Sequence, residues 1–188
     1  MSSYQFRLKH CFYSQRNTMY KPVFVNLWNN FPDHISYPNM KALYTWLGGV
    51  IEKNIAAPGF GENGNTCASR LSVAFNKAGA PINKTVAASI GTSTISAGDN
   101  SQIIYRVEDF RKYLYKTLGK PTLDHTSPFD SDIRGKRGII AFKINLIGAT
   151  GHIALWNGSI YREPGFDNYA TYLEGSSKTS QSEFWELP

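Results

Sequence analysis

The chain has 188 residues, 41% hydrophobic, 14% aromatic and 18% charged, a balance that excludes a disordered chain and suffices for one core without disulfides or metals. A net charge of +6 suits an anionic partner, yet Lys and Arg form no run interleaved with aromatics. Arg134, Lys136 and Arg137 are the densest basic cluster and fit a solvated loop as well as a phosphate-binding patch, so an acidic surface or a carboxylate-rich cell-wall polymer stands open as partner and nucleic acid is the less expected one.

Cys11 and Cys67 are the two cysteines, no disulfide framework, which fits synthesis in a reducing compartment. The start, Met1 to Arg7, lacks the apolar segment of a secretory signal, and no stretch reaches the length of a membrane span. The expectation is a protein made in the cytoplasm without a cleaved signal, with no membrane association, that needs another route to any site of action outside.

Residues 1–21 are polar-aromatic and weakly patterned, an N-terminal extension before a single domain over residues 22–188. Residues 22–32 hold a short apolar run bounded by Pro22 and Pro32, helix or strand alike. From Pro38 to about Ala56, Met40, Leu43, Tyr44, Leu47, Val50 and Ile51 keep helical spacing, weakly interrupted by Gly48-Gly49, with Ser36 or Tyr37 to open the helix. This helix is expected to pack on the one that follows.

Residues 57–66 form a Gly/Asn-rich loop that empties into Cys67, Ala68, Leu71, Ala74, Phe75 and Ala78, which share one helix face. Asn65 or Thr66 caps the start, Gly79 suits the left-handed position past the end, and Pro81 prevents resumption. Cys67 therefore lies in a first turn, where unpaired N–H groups and the positive end of the helix dipole favour a thiolate. A buried structural cysteine is the plainer alternative, and a partner base decides between them.

Residues 82–104, rich in Ser, Thr, Gly and Ala, read as a long surface insertion bordering a cleft; Gly91-Thr92-Ser93-Thr94 lacks the frame of a nucleophile elbow. Val107 to Leu118 is a third amphipathic helix, acidic at its start and basic at its end as the dipole favours. Asp124 to Asp132 is a polar loop whose His125 and three Asp match no metal-ligand spacing. Gly138 to Ile147 is β-branched and apolar, a central strand.

Gly151-His152-Ile153-Ala154-Leu155-Trp156-Asn157-Gly158-Ser159-Ile160-Tyr161-Arg162-Glu163 has Asn-Gly between two apolar-rich runs, the strongest short hairpin signal. With Asn157 and Gly158 as the loop, Trp156 faces Ser159, Leu155 faces Ile160 and His152 faces Glu163. Facing Cβ atoms stand ~5 Å apart, within reach of an imidazole–carboxylate bond. Glu163 would then orient His152 and favour its imidazolium, leaving the other ring nitrogen for Cys67. A surface ion pair beside a structural cysteine is the competing reading.

Asn65-Thr66-Cys67-Ala68-Ser69-Arg70-Leu71-Ser72, the helix end Asn76-Lys77-Ala78-Gly79, and Gly151-His152-Ile153-Ala154-Leu155-Trp156-Asn157-Gly158 resemble the two signature blocks of the type VI secretion amidase effectors of the fourth family. Residues 24–32 and Phe184-Trp185-Glu186-Leu187 are similar to that family's flanks, so the resemblance covers about residues 22–188. It implies an α+β, papain-like fold of the NlpC type, a Cys-bearing helix packed on an antiparallel sheet bearing the His. It also implies a cysteine amidase, injected into rival bacteria, that acts in their periplasm on the peptidoglycan bond between D-glutamate and meso-diaminopimelate. No cofactor is implied; a cognate immunity protein is. Carried over residue by residue, Cys67 is the nucleophile and His152 the base. The family's third residue is usually Asp, whereas the hairpin puts Glu163 there, with Asn157, Asp167 and Glu174 as competitors. Two other readings stand beside this one: an inactive domain of the same fold that binds wall peptides or a partner, and a Cys-His peptidase or acyltransferase acting on protein.

Overall fold

The computed structural model describes residues 21–57, 60–61, 64–126, 130–144, 151–169 and 179–188. A four-stranded antiparallel sheet carries the architecture: β3 (Leu123–His125), β6 (Thr179–Glu186), β4 (Gly138–Ile144) and β5 (His152–Trp156) lie side by side in that order. β4 is a central strand as its composition predicts, with Phe142 opposite His152 on one side and Ser182 on the other. Residues 145–147 of the predicted run lie outside the described residues.

The apolar run Gly138–Phe142 of β4, which ends at the exposed Lys143, has a structural cause, since both faces of the sheet are covered there. Ile139, Ala141, Ile153, Leu155 and Trp185 point into the larger core, with Cys67, Leu71, Phe75, Phe110 and Leu114. Ile140, Phe142, Ala154, Trp156 and Phe184 point the other way, against Ile133 and Tyr161. Period-2 polar alternation marks a strand only when one face is wet, and here neither is.

The helix of the larger core that bears the cysteine, α4 (Cys67–Lys77), follows α1 (Phe24–Asn29), α2 (Met40–Leu47) and α3 (Gly49–Lys53), and later comes α6 (Val107–Leu118). The α4 and α6 bounds match the sequence reading, with Gly79 left-handed at φ 81. The ambiguous run at residues 22–32 is a helix, and the Phe24 N–H donates to the Pro188 carbonyl at 2.8 Å, tying the first described helix to the last residue. α2 packs on α4 as expected: Tyr44 Oη and Ser69 Oγ are 2.9 Å apart, and Val73 lies among Met40, Leu43 and Tyr44.

Four expectations about the segments before β4 change. Gly48-Gly49 ends α2 outright rather than interrupting it, because a Cβ at Gly49 would come within 2.6 Å of the Ala97 carbonyl carbon while Leu47 O accepts from Gly98 N. The N-cap is Asn39, whose side chain accepts from Ala42 N, rather than Ser36 or Tyr37. Residues 82–104 are no plain insertion: they hold α5 (Lys84–Ser89), capped by Asn83, and a small ladder of β1 (Ile95–Ser96) with β2 (Gln102–Ile103). The polar stretch after Pro121 likewise contains β3 and α7 (Asp130–Ile133), with residues 127–129 outside the described set.

The predicted hairpin after β5 does not form. Asn157 Oδ1 accepts from the Ser159 and Ile160 N–H groups, closing a wider loop, and the return is one bridge, Trp156 to Tyr161, with Arg162 N donating to Leu155 O. Pro164 then opens a short helix, α8 (Pro164–Asp167), the role its fixed φ and missing N–H suit. His152 therefore does not face Glu163; it faces Phe142 of β4.

Candidate active site

Cys67 opens α4 with Thr66 as N-cap residue, and Thr66 makes no capping bond of its own. Its Oγ1 instead accepts from Arg70 Nε at 2.8 Å, while Asn65 Oδ1 accepts the Cys67 N–H at 3.0 Å. Asn65 also reaches over to the base strand, its Nδ2 lying 3.4 Å from the Gly151 carbonyl. Gly151 is required by packing, since a Cβ there would sit 2.4 Å from Phe142 O. The two signature blocks thus meet through the residues flanking Cys67 and His152.

His152 is the first residue of β5, the strand at the sheet edge. Nε2 lies 2.8 Å from Asp167 Oδ1 in a buried pair, which leaves Nδ1 for the thiol, and Tyr169 packs on the ring at 4.7 Å between centroids. Burial alone pushes the imidazole toward neutrality. The negative charge and hydrogen bond of Cys67 and the bond and charge of Asp167 outweigh it, so the pKa is raised to about 10 and the ring is an imidazolium at neutral pH. An imidazole held between a thiol and a carboxylate is the arrangement in which one ring can exchange a proton with a nucleophile while the carboxylate orients it.

Glu163 is not at this imidazole. Its two oxygens lie on His34, Oε1 accepting the backbone N–H at 2.6 Å and Oε2 standing 2.7 Å from Nδ1. Burial raises the Glu163 carboxyl, but the two His34 bonds and the charges of His34 and Arg70 hold it below the usual range. Asn157 spends its carbonyl oxygen on its own loop, and Glu174 lies outside the described residues. The structure brings together Cys67, His152 and Asp167. Pro164, which a strand interior tolerates poorly, was the local signal that the return strand stops before Glu163.

His34 carried no sequence signal, being 129 residues from Glu163. Arg70, inside the first signature block, had no assigned role; it is fully buried and donates from Nη1 to Pro32 O at 2.7 Å and from Nη2 to Tyr37 O at 2.5 Å. Burial pulls the guanidinium below its ordinary pKa, and the charges of Glu163 and Asp33 offset this only in part.

Residues 63–185 match the family described as "Type VI secretion system (T6SS), amidase effector protein 4", Tae4. The chain belongs to this family. A comparison with curated proteins gives no significant match. Among solved structures, the effector Tae4 from Salmonella typhimurium, crystallised in complex with the immunity Tai4 from Enterobacter cloacae, is 32% identical with a TM-score of 0.75, over 89% of this chain and 100% of that one. Tae4 from Enterobacter cloacae in its effector–immunity complex gives 30% identity and a TM-score of 0.74, over 90% and 100%. The same effector crystallised by itself gives 31% and 0.73, over 90% and 99%.

The expected α+β, papain-like fold is therefore shared with Tae4 structures. The protein is a type VI secretion effector, delivered to target cells, and a peptidoglycan amidase of the DL-endopeptidase kind. Among the described residues no helix is long and apolar enough to cross a membrane.

Proposed function

We propose that Cys67, His152 and Asp167 are the catalytic triad of this amidase, that residues 22–188 form one catalytic domain, and that the enzyme cleaves the D-glutamate–meso-diaminopimelate bond in the target periplasm. The observation that carries the reading is the position of His152, with its ring between the Asp167 carboxylate and the Cys67 thiol. A core running from Phe24 to Leu187 supports treating the domain as one unit.

The Cys67 thiolate attacks the amide carbonyl carbon, and the N–H groups at the start of α4 meet the oxyanion of the tetrahedral intermediate. Cys67's own N–H is held by Asn65 Oδ1, so its use there requires that 3.0 Å contact to lengthen. The imidazolium protonates the leaving nitrogen from Nδ1, the C–N bond breaks and a thioester remains. Neutral His152 then takes a proton from water, which attacks the thioester and returns Cys67 as leaving group. Asp167 keeps the ring oriented and stabilises its charge throughout. The net charge of +6 favours approach to an anionic wall, an effect that salt weakens.

The immunity proteins crystallised with the Salmonella typhimurium and Enterobacter cloacae effectors support a cognate immunity partner for this chain as well. The test is digestion of purified peptidoglycan with mass determination of the products. Cleavage between D-glutamate and meso-diaminopimelate, lost in Cys67→Ala, is expected; a Cys67→Ala protein with unchanged activity would overturn the reading.

A further inference from the structure

We infer that Glu163 and His34 are positioning residues for the reaction: they clamp the α8 turn to the loop of residues 32–37 and so hold Asp167 in line with His152. This rests on the triad proposed above. Asp167 divides its oxygens, Oδ1 to His152 Nε2 at 2.8 Å and Oδ2 to the Glu163 N–H at 3.0 Å. Its own N–H and that of Phe166 both donate to Glu163 O at 2.9 Å. Where residue 163 goes, the Asp167 carboxylate goes too.

Residue 163 is in turn fixed by its side chain. The carboxylate takes both His34 donors, the backbone N–H and the ring, in a fork that sets direction as well as distance. Phe166 lies flat on the His34 ring, centroids 4.1 Å apart and planes at 9°, so both ends of the turn grip the same residue. Beside it Arg162 Nε donates to Trp28 O at 3.1 Å, and its Nη2 stands 3.6 Å from Asp33 Oδ2.

The loop that receives this clamp is itself held from the nucleophile's helix. Arg70, one turn beyond Cys67, donates to Pro32 O and Tyr37 O and to Thr66 Oγ1, the residue before the cysteine. The loop is thus bracketed by Arg70 on the thiol side and by Glu163 on the carboxylate side. The two ends of the triad are referred to one rigid piece of backbone, which is how a Cys–His–Asp alignment from three separate elements holds its geometry.

The test uses the full chain with purified peptidoglycan, and reads kcat, KM and the pH profile of Cys67 alkylation by iodoacetamide. Glu163→Ala should lower kcat on the order of tenfold to a hundredfold, leave KM within about twofold, and weaken the reactivity of Cys67 below pH 7. Glu163→Gln should recover most of the loss, since the amide oxygen still accepts the His34 N–H and the amide nitrogen can donate to a neutral imidazole. His34→Ala should fall between wild type and Glu163→Ala, and the double variant should be no worse than Glu163→Ala alone.

A Glu163→Ala or His34→Ala enzyme with wild-type kcat and alkylation profile overturns the inference. So does a kcat loss that leaves the profile unmoved and that Glu163→Gln does not repair, the pattern of a merely structural role. If Glu163→Ala does not fold, His34→Ala and Glu163→Gln carry the same decision. Asp167→Asn tells the two readings apart: inactive Asp167→Asn with unaffected Glu163→Ala sinks the clamp alone, and active Asp167→Asn sinks the triad.

Discussion

Two histidine–carboxylate pairs stand side by side on the segment of residues 163–167, and they differ in surroundings although they barely differ in length. His152 and Asp167 meet at 2.8 Å, His34 and Glu163 at 2.7 Å. The first pair is almost dry, with side-chain exposures of 7% and 2%; in the second, His34 keeps 19%. The difference lies in the second ring nitrogen's surroundings. His152 turns its free nitrogen to a thiol at a helix start, whereas His34 lays its ring against Phe166 and donates its backbone N–H to the same carboxylate. A short imidazole–carboxylate distance therefore does not identify a catalytic base; the chemistry is assigned by what the opposite edge of the ring can reach.

The sharpest way to break this comparison is to neutralise each carboxylate in turn. Asp167→Asn keeps the shape but presents a wrong tautomer partner to His152, and by analogy with the Ser-His-Asp triad hydrolysis should fall about a thousandfold or more. Glu163→Gln should cost no more than a few-fold, because its partner never touches the reacting atoms. Initial rates of muropeptide release measure both, and a reversed order would move the catalytic pair to Glu163.

Alkylation separates the pairs at the thiol itself. At pH 6.5 a free thiol of pKa ~8.5 is about 1% thiolate, so an imidazolium-paired Cys67 should react with iodoacetamide up to about a hundredfold faster than a model thiol. His152→Ala should erase that advantage, whereas His34→Ala should only weaken it. Equal rates for Cys67 and the model thiol in the unmodified protein would contradict the ion pair.

The pH dependence follows from the raised His152 pKa. In the proposed mechanism its imidazolium is the acid that releases the amine, so kcat/KM should decline as pH rises through about 10, roughly tenfold per unit beyond it. The sign for stability is the same: a group whose folded value lies above its usual 6.5 adds stability that is full below 6.5 and lost on the way up through about 10. Asp167→Asn should pull the basic limb downward, whereas a limb unmoved by that change would mean the carboxylate does not charge-stabilise the ring.

What the sequence revealed and what it concealed divide along the same line. The α4 and α6 helices were legible to within about a residue because the apolar period and the signals at the helix ends agree within one segment. The placing of Cys67 in the first turn of a helix and of His152 in a strand was legible from local pattern as well. The carboxylate that meets His152 was not, since Asn157-Gly158 resembles a tight turn while Asn157 Oδ1, bonded to the Ser159 and Ile160 N–H groups, holds a wider one. Pro164 then ends the strand that the hairpin arithmetic requires. The His34–Glu163 contact spans 129 residues and Arg70 reaches 38 residues back to Pro32, separations at which no local pattern operates.

The smallest expected effect tests whether the turn or the clamp aligns Asp167. Asn157→Ala removes the oxygen that accepts from Ser159 N, Ser159 Oγ and Ile160 N in an exposed loop, where water can replace it, so stability should drop by only ~1 kcal/mol. Thermal melting reads that loss. Between this loop and Asp167 stand the Trp156–Tyr161 bridge, the Arg162 N bond to Leu155 O and the Glu163 fork on His34, each of which survives the substitution. kcat should therefore stay within about twofold of wild type, against the far larger fall expected for Glu163→Ala. If Asn157→Ala instead lowers kcat as much as Glu163→Ala does, the position of Asp167 is set by the turn after β5, and the second histidine–carboxylate pair is only a surface contact.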